Sequence, residues 1–252
     1  MGAHLEISTS IPCILNCRYC PQDELKINYK SKIKKLSLSN FILAIDKLPE
    51  NSKVTFSAFN EPFQNPEAVD MILYAHSKGH EISVNSTLMG LNIEKYEQIR
   101  TLGMVNFGVH LPDNSGKTVV NITYEYKELL KYIICNPPPY MKFNHHAADI
   151  HSEIKEIVPV SYRLLIHNRC GLLQEGQADY HPKMKRCGHE FLFTNDRGGG
   201  VLLPNGDCVT CCHAFNLAGY LGNLFTQTWE EIEANIAPIE LCKYCVDAVE
   251  DN

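Results

Sequence analysis

The chain has 252 residues, a formal net charge of −6 and 44% hydrophobic residues. These values suit one large globular domain, or one domain with a small appendix. The acidic balance argues against a large phosphate-binding surface, so we expect no nucleic-acid partner. No window approaches the roughly 20 apolar residues that a membrane-spanning helix needs, and the N-terminus lacks the order of a signal peptide. We therefore expect a cytoplasmic protein with no membrane partner.

Up to residue 167, short apolar runs alternate with helix-like stretches, which predicts a series of βα units. The predicted strands are HLEISTSI, VTFSAF, HEISVNS, MVNFGVHL, YMKFNHHA and SYRLLIH, and the predicted helices are LSNFILAIDKL, NPEAVDMILYAHSKG, NIEKYEQIRTLG and YEYKELLKYIIC. Ser39 or Asn40 is the expected N-cap of the first helix, and Cys135 is expected to be a packed thiol in the last. Six units are too few for an eight-fold barrel, so we predict an α/β fold with a partial, TIM-like (β/α)6 barrel.

After residue 170 the composition changes to frequent Gly, Cys, Asn and Pro, with turn signals at NDRGGG and PNGD. The segment VLLPNGDCVTCC predicts a β-hairpin with Asn-Gly at its turn. A short helix is predicted at TQTWEEIEANI, and LCKYC follows. We therefore predict two domains, a barrel core over residues 1–168 and a small cysteine-rich β-hairpin/helix module over residues 169–252.

Eleven cysteines are many for a cytoplasmic chain, where disulfides are rare and clustered cysteines indicate metal binding or catalysis. Cys13, Cys17 and Cys20 follow the first predicted strand with the spacing C-x3-C-x2-C, at the strand end where such sheets carry their chemistry. A structural zinc usually takes four ligands. Three thiolates can instead hold three irons of a [4Fe–4S] cluster and leave the fourth open to a substrate or cofactor. A zinc knuckle or three buried thiols are the alternatives.

With Tyr19 as the aromatic residue, C-x3-C-x-aromatic-C resembles the signature of the radical S-adenosylmethionine (radical SAM) superfamily. The resemblance implies that Cys13, Cys17 and Cys20 carry a [4Fe–4S] cluster whose open iron binds SAM. One electron from the cluster then cleaves SAM to a 5′-deoxyadenosyl radical, which takes a hydrogen from the substrate. The backbone of Tyr19 would lie near the adenine. The resemblance also implies an electron donor such as flavodoxin or ferredoxin.

Other predicted strand ends resemble further SAM-binding segments of this superfamily. The N-E-P sequence in FSAFNEPFQNP resembles a G-E-P segment, which implies that Glu61 contacts the SAM amino group, a favourable pairing of carboxylate and ammonium. A solvated loop glutamate is the alternative. The end of the third strand, VNST, implies that Asn85 or Ser86 contacts the ribose. His110, at the end of the fourth strand, would face the same site, or would be a structural or substrate-pocket histidine.

The tail, from RCGHEF through GDCVTCC to LCKYC, resembles the auxiliary-cluster extensions of radical SAM enzymes. The long form, SPASM, has a C-x2-C-x5-C-x3-C core that is absent here, whereas the short form, Twitch, holds one cluster. The G-x4-C element implies Cys211 as a ligand, and with Cys187, Cys242 and Cys245 it completes a closed second [4Fe–4S] site. A four-cysteine zinc ribbon is the alternative. Cys208 and Cys212 are interpreted as bystanders, and Cys170 has no assigned role.

In layout the chain resembles the 2-deoxy-scyllo-inosamine dehydrogenases, which are radical SAM enzymes with a Twitch module. The segment HNRCGLL resembles an N-R-G-G segment there, which implies that Arg169 is a substrate contact or base in the active site. Because arginine stays protonated, anion or hydroxyl binding is its easier role, and a salt bridge in the linker is the alternative. His213 stands where those enzymes have an acidic residue. It is the second candidate catalytic residue, and the aminocyclitol substrate is not transferable.

Three functional hypotheses follow. The first is a radical SAM oxidoreductase that uses its second cluster in a two-electron oxidation (dehydrogenation) of a small molecule such as a sugar, cyclitol or nucleoside. The second is a peptide-modifying, RiPP-type radical SAM enzyme that makes an epimer or crosslink. The chain enters its first strand at His4 or Leu5, so a peptide-recognition domain would be a separate protein, which favours small molecules. The third is a zinc-stabilised binding module.

Overall fold

The computed structural model describes residues 2–173, 184–187 and 199–250. The GHEF part of RCGHEF and the first four residues of the predicted NDRGGG turn lie outside these residues. Within the described ranges, no helix is long and apolar enough to cross a membrane.

Six strands form a parallel array in which each strand pairs with the next one along the chain. They are β1 (His4–Ile7), β2 (Lys53–Phe56), β3 (Glu81–Ser86), β4 (Asn106–His110), β5 (Met141–His145) and β6 (Tyr162–Arg163). The helices between them are α1 (Gln22–Asn28), α2 (Leu38–Ile45), α3 (Ala68–Ser77), α4 (Ile93–Ile99) and α5 (Tyr124–Cys135). The predicted α/β fold with a partial (β/α)6 barrel is confirmed.

The strands alternate between an apolar face and a polar face, as the two-residue period of a strand requires. On β1, Leu5 and Ile7 belong to the hydrophobic core, whereas His4 and Glu6 line a cavity. The same alternation repeats on the neighbouring strands, where the core takes Val54, Phe56, Ile82, Val84, Phe107 and Val109 and the cavity takes Lys53, Thr55, Ser83, Asn85 and Asn106. The strand residues that face the interior of the partial barrel are therefore mostly polar.

The predicted hairpin of the tail is present and joins the barrel sheet. Strands β8 (Gly199–Leu202) and β9 (Asp207–Val209) are antiparallel, and Gly206 at their turn has φ +89°, a conformation that glycine adopts without steric cost. Strand β8 also pairs in parallel with β1, and β10 (Tyr220–Asn223) pairs with β9. The nine-stranded sheet therefore contains residues from both predicted domains, and the boundary at residue 168 stays a prediction.

The rest of the described tail contains one short helix and a second small sheet. Helix α6 (Trp229–Glu233) has a capping box, in which Thr228 and Glu231 bond each other's backbone N–H groups. Strand β7 (Met184–Cys187) pairs antiparallel with β11 (Ala248–Glu250). The predicted short helix is confirmed.

Two local predictions are wrong. The N-cap of α2 is Ser37, whose side chain accepts a hydrogen bond from the backbone N–H of Asn40 at 3.3 Å, so Ser39 and Asn40 lie within the helix. Cys135, at the end of α5, is exposed, because the helix buries Leu130 and Ile133 on another face. Cys135 is therefore not a packed thiol.

Candidate active site

The three cysteines after β1 converge at the carboxyl end of the strand. The sulfur of Cys13 accepts a hydrogen bond from the backbone N–H of Glu61 at 3.3 Å, and that of Cys17 accepts one from Val119 at 3.3 Å. Cys20 is close enough to interact electrostatically with both other sulfurs. Backbone N–H groups directed at cysteine sulfurs stabilise thiolate ligands and tune iron–sulfur clusters.

Burial is the largest influence on the pKa values of these three thiols. It raises the pKa of Cys13 to about 11 and that of Cys17 to about 12. Burial also raises the pKa of Cys20, and Arg169 opposes this shift. A bound cation deprotonates such thiols. The loop is therefore suited to a metal centre and unsuited to free thiolates.

The described cysteine sulfurs are not grouped tightly around one point. Zinc–sulfur bonds of about 2.3 Å place tetrahedral sulfurs about 3.8 Å apart. In the described residues, the one group of three or more ligand atoms within 4.8 Å of one another is His167, His213 and Asp247, and it contains no cysteine. No three described cysteine sulfurs therefore have the compact arrangement of an occupied zinc site.

Glu61 is held by hydrogen bonds that connect the ends of β2 and β3. Its Oε1 accepts from the Ser86 hydroxyl at 2.6 Å and from the Phe63 N–H at 3.2 Å. Its Oε2 accepts from the Thr87 N–H at 2.6 Å and from the Thr87 hydroxyl at 2.7 Å. Burial raises its pKa, and the bonds from Ser86 and Thr87 oppose this. Ser86 therefore orients Glu61, and the predicted SAM contacts of both residues stay predictions.

We expect Glu61→Gln to lower the free energy of unfolding of the cluster-free protein by about 3 kcal/mol. The amide nitrogen of glutamine cannot accept hydrogen bonds, so two buried donors lose their acceptor. Urea unfolding followed by circular dichroism measures the change, and Glu50→Gln, at an exposed position, is the matched control. A loss no larger than that of the control would contradict the structural role.

Asn85, which lies on β3 and was predicted to lie near SAM, contacts residues of the neighbouring strand β4. Asn85 Oδ1 accepts from Asn106 Nδ2 at 3.2 Å. It also lies over Gly108, where an added Cβ would be 2.5 Å from that oxygen. Gly108 therefore leaves room for the Asn85 amide inside the barrel.

His110 shares a hydrogen bond with a second histidine that the sequence analysis did not identify. Its Nδ1 lies 3.2 Å from Nε2 of His146, whose ring is 4.2 Å from the Tyr19 ring. Burial lowers the pKa of His110 to about 4 and that of His146 to about 3, so both rings are neutral near pH 7. The two-residue alternation in MKFNHH was the signal for His146, because it places Lys142, Asn144 and His146 on one face.

Arg169 connects the tail to the first cysteine loop. Its Nε donates to the backbone oxygen of Tyr19 at 3.3 Å, and its guanidinium lies 5.8 Å from the Tyr19 ring and 5.6 Å from the Phe215 ring. Arg169 and Cys170 both have left-handed backbone conformations, with φ of +50° and +54°, which is strained for residues other than glycine. The strained turn lets Arg169 contact the first cysteine loop while Cys170 lies among the tail cysteines.

Cys170 belongs to the cluster of tail cysteines. A hydrogen bond to Cys245 and burial raise the pKa of its thiol, and Cys211 and Cys242 are close enough to add to this. The backbone of Cys187 pairs with that of Ala248, which follows Cys245 by three residues. The structure therefore brings Cys170 together with Cys211, Cys242 and Cys245, so the tail offers two candidates, Cys170 and Cys187, for the fourth ligand of a closed four-thiolate cluster. The role of Cys170 was left open on sequence alone, although this residue directly follows Arg169 in HNRCGLL.

The other two cysteines of the tail hairpin differ from each other. Cys208 is fully buried in the hydrophobic core, as expected of a bystander. Cys212 lines the cavity and interacts with Cys211 and Glu6. His213 also lines the cavity, and its ring lies 4.7 Å from that of His167.

One cavity of about 840 Å³ lies next to both cysteine sets. The first set reaches it directly through Cys13, Cys17 and Cys20, and the second set reaches it through Cys212 and His213. All seven residues predicted to bind SAM or take part in catalysis line this cavity: Tyr19, Glu61, Asn85, Ser86, His110, Arg169 and His213. The chemistry predicted for them is therefore spatially possible in one site.

Comparison with solved structures finds similar folds at low identity. BtrN, in complex with AdoMet and 2-DOIA, has a TM-score of 0.59 and 14% identity, covering 92% of this chain and 82% of BtrN. The AdoMet-bound anSMEcpe has a TM-score of 0.60 and 11% identity, covering 98% and 86%. SuiB of Streptococcus suis, bound to its precursor peptide SuiA, has a TM-score of 0.62 and 11% identity, covering 96% and 69%. At these identities the likeness shows the fold alone.

No curated protein matches the sequence. The sequence pattern of the radical SAM superfamily matches residues 7–133, a segment that holds the first cysteine loop and the carboxyl ends of β1 to β4. This segment is just over half of the chain, and the chain therefore belongs to the radical SAM superfamily.

Proposed function

We propose that this radical SAM enzyme is an oxidoreductase that removes two electrons from a small hydroxylated molecule, such as a sugar, cyclitol or nucleoside. The observation that carries the proposal is that both cysteine sets lie next to one cavity with many polar lining side chains. A redox centre with four protein ligands cannot bind SAM through an open iron, so electron transfer is the role left to it.

The first cysteine set would hold the cluster with an open iron through Cys13, Cys17 and Cys20. Bound SAM, reduced through this cluster, supplies a 5′-deoxyadenosyl radical that takes a hydrogen atom from the substrate. Cys211, Cys242 and Cys245 would hold the second cluster, together with Cys170 or with the Cys187 that the sequence predicted. The electron donor for the first cluster would be a flavodoxin or ferredoxin.

Arg169 and His213 are the proposed links between the two cysteine sets and the substrate. Arg169 contacts the backbone of Tyr19 in the first loop, and its permanent charge suits hydroxyl or anion binding. His213 follows Cys211 by two residues, and its backbone N–H donates to the Cys211 sulfur at 3.3 Å. A substrate held between them would therefore lie close to both redox centres.

The polar lining of the cavity supports a small hydroxylated substrate. Inward-facing side chains of the parallel strands include donors and acceptors at several depths, among them His4, Glu6, Thr55, Ser83, Asn85, Asn106 and Lys142. A ring with several hydroxyl groups can add hydrogen bonds to such groups, whereas an apolar side chain cannot. BtrN, which shares the fold, is seen with 2-DOIA. SuiB and anSMEcpe are seen with peptides, so peptide modification is the competing outcome.

Metal content and products test the proposal together. We expect roughly six to eight irons, with matching sulfide, in each anaerobically purified chain. Two zinc ions and no iron would contradict any radical SAM chemistry. The reduced protein, given SAM and a panel of sugars, cyclitols, nucleosides and peptides, should yield 5′-deoxyadenosine and a ketone two mass units lighter than one small molecule. Modification of a peptide alone would refute the oxidation of a small molecule.

A further inference from the structure

Glu6 is a buried carboxyl group inside the barrel that the proposed cofactor contacts do not use. It lies on β1 and lines the cavity, yet only 4% of the residue is exposed. Its Oε2 has no hydrogen-bond partner in the part of the chain that the structure describes. Buried carboxylate oxygens normally have partners, so an unsatisfied oxygen on a cavity wall indicates that a ligand supplies the missing donor.

The groups around Glu6 place it between the two cysteine sets. Cys212, next to the second set, and Ser57, on the chain following β2, interact with its side chain. Arg169, which contacts the first cysteine loop, and Lys53, on β2, face it as positive charges. A substrate that reaches both redox centres through this cavity therefore passes within reach of the Glu6 carboxyl.

Four other ionisable groups of the cavity are poorer proton acceptors. The carboxylate oxygens of Glu61 already accept four hydrogen bonds. His110 and His146 bond each other, and their lowered pKa values make them weak bases. Arg169 stays protonated. Burial raises the pKa of Glu6 to about 7, against the opposing effects of Cys212, Arg169, Ser57 and Lys53, and a base works best when its pKa is near the working pH.

We propose that Glu6 binds the reacting hydroxyl group of the substrate through Oε2 and accepts its proton. This role rests on the proposed oxidation. Conversion of CH–OH to C=O removes a hydrogen atom from carbon, a proton from oxygen and one further electron. The SAM-derived radical takes the hydrogen atom and the second iron–sulfur centre takes the electron, while the O–H bond breaks and its proton goes to Glu6 as the C=O bond forms. The substrate is therefore an alcohol whose reacting hydroxyl is its donor to this carboxylate.

Three variants of the full-length holoenzyme test this role. The variants are Glu6→Gln, which keeps the shape and loses the base, Glu6→Asp, which keeps the carboxylate, and Glu24→Gln, the same change at an exposed position. The probes are 2-deoxy-scyllo-inosamine, myo-inositol, glucose and adenosine. We expect Glu6→Gln to lower ketone formation by at least about 100-fold while 5′-deoxyadenosine formation stays within about threefold. Glu6→Asp should recover part of the ketone, and Glu24→Gln should match the wild type.

Two pH measurements separate a proton acceptor from a structural residue. The wild-type kcat/KM for the oxidised probe should rise as the pH passes about 7, because only the deprotonated carboxylate accepts the proton. In infrared spectra of the substrate-free holoenzyme, a carboxylic acid band should disappear over the same range, and Glu6→Gln should lack that band. A band that does not titrate near neutral pH would overturn the proposal.

The remaining outcomes distinguish the proposed oxidation of a small molecule from the proposed role of Glu6. If the wild type and Glu6→Gln oxidise a probe at equal rates and with the same pH profile, Glu6 is not the proton acceptor and the oxidation still stands. If Glu6→Gln and Glu6→Asp lose SAM cleavage together with the ketone, Glu6 acts on the SAM site instead. If the wild type cleaves SAM and oxidises none of the four alcohols, the oxidation of this substrate class fails, and the role of Glu6 fails with it.

Discussion

Cys17→Ala is expected to abolish reductive SAM cleavage, with at least a roughly 100-fold loss of 5′-deoxyadenosine. Cys17 is buried, and its sulfur receives the Val119 N–H, so no other described group can move into its place without disturbing the loop. Loss of one of three thiolates leaves the cluster with two protein ligands and an altered open site. Cys13→Ala and Cys20→Ala should have the same effect.

Anaerobic assays with dithionite and SAM, read by mass spectrometry, measure this loss. Cys135→Ala is the matched control, because Cys135 is an exposed thiol at the end of α5. The control should cleave SAM at the wild-type rate. Cleavage that persists in Cys17→Ala at more than about a tenth of the wild-type rate would show that the cluster is bound elsewhere.

Cys170→Ala is expected to separate SAM cleavage from product formation. Removing a thiolate from the four-cysteine set should release the second cluster, so that iron falls from about eight to about four per chain. Ketone formation should fall by at least about 100-fold, because the substrate radical loses its electron acceptor, while 5′-deoxyadenosine still forms. Cys242→Ala should behave in the same way. Full product from either variant would refute an electron-transfer role.

Cys187→Ala distinguishes the two possible ligand sets. Cys170 interacts with Cys245, Cys211 and Cys242, and we therefore expect Cys187→Ala to retain about eight irons. Iron analysis and electron paramagnetic resonance of the reduced protein measure the number of clusters. If Cys187→Ala lost the second cluster and Cys170→Ala retained it, the set predicted from the sequence would be the correct one.

The parts of the fold that follow from local sequence were predicted well. The strands β1 to β5 have an apolar–polar alternation, and the helices between them have apolar residues at helical spacing, so both element types leave a periodic signal. The cysteine loop was predicted because its three cysteines lie within eight residues, so their spacing is visible in the sequence. Helix α1, with seven residues, was not predicted, since it directly follows the cysteine loop and is too short for a strong period.

Contacts between distant segments could not be predicted from the sequence. Cys170 lies near the tail cysteines, and the left-handed backbone at residues 169 and 170 that accompanies this position leaves no periodic signal in the sequence. His146 becomes part of the site through its bond to His110, which is 36 residues earlier. Glu6 was part of a predicted strand, but its unsatisfied oxygen and its neighbour Cys212 are visible only in three dimensions. Such pairings depend on how the strands and loops pack.

The pairing of β1 with β8 also has a consequence for how a newly made chain folds. His4 pairs with Lys53 on one side and with Gly199 on the other. At ribosomal speeds of about 5 to 20 residues per second, the second partner is synthesised roughly 10 to 40 s after the first strand. During that time one edge of β1 lacks its backbone partner, and unpaired strand edges promote aggregation. Ribosome-bound chains that end before residue 199 should therefore depend on chaperones more strongly than the released protein.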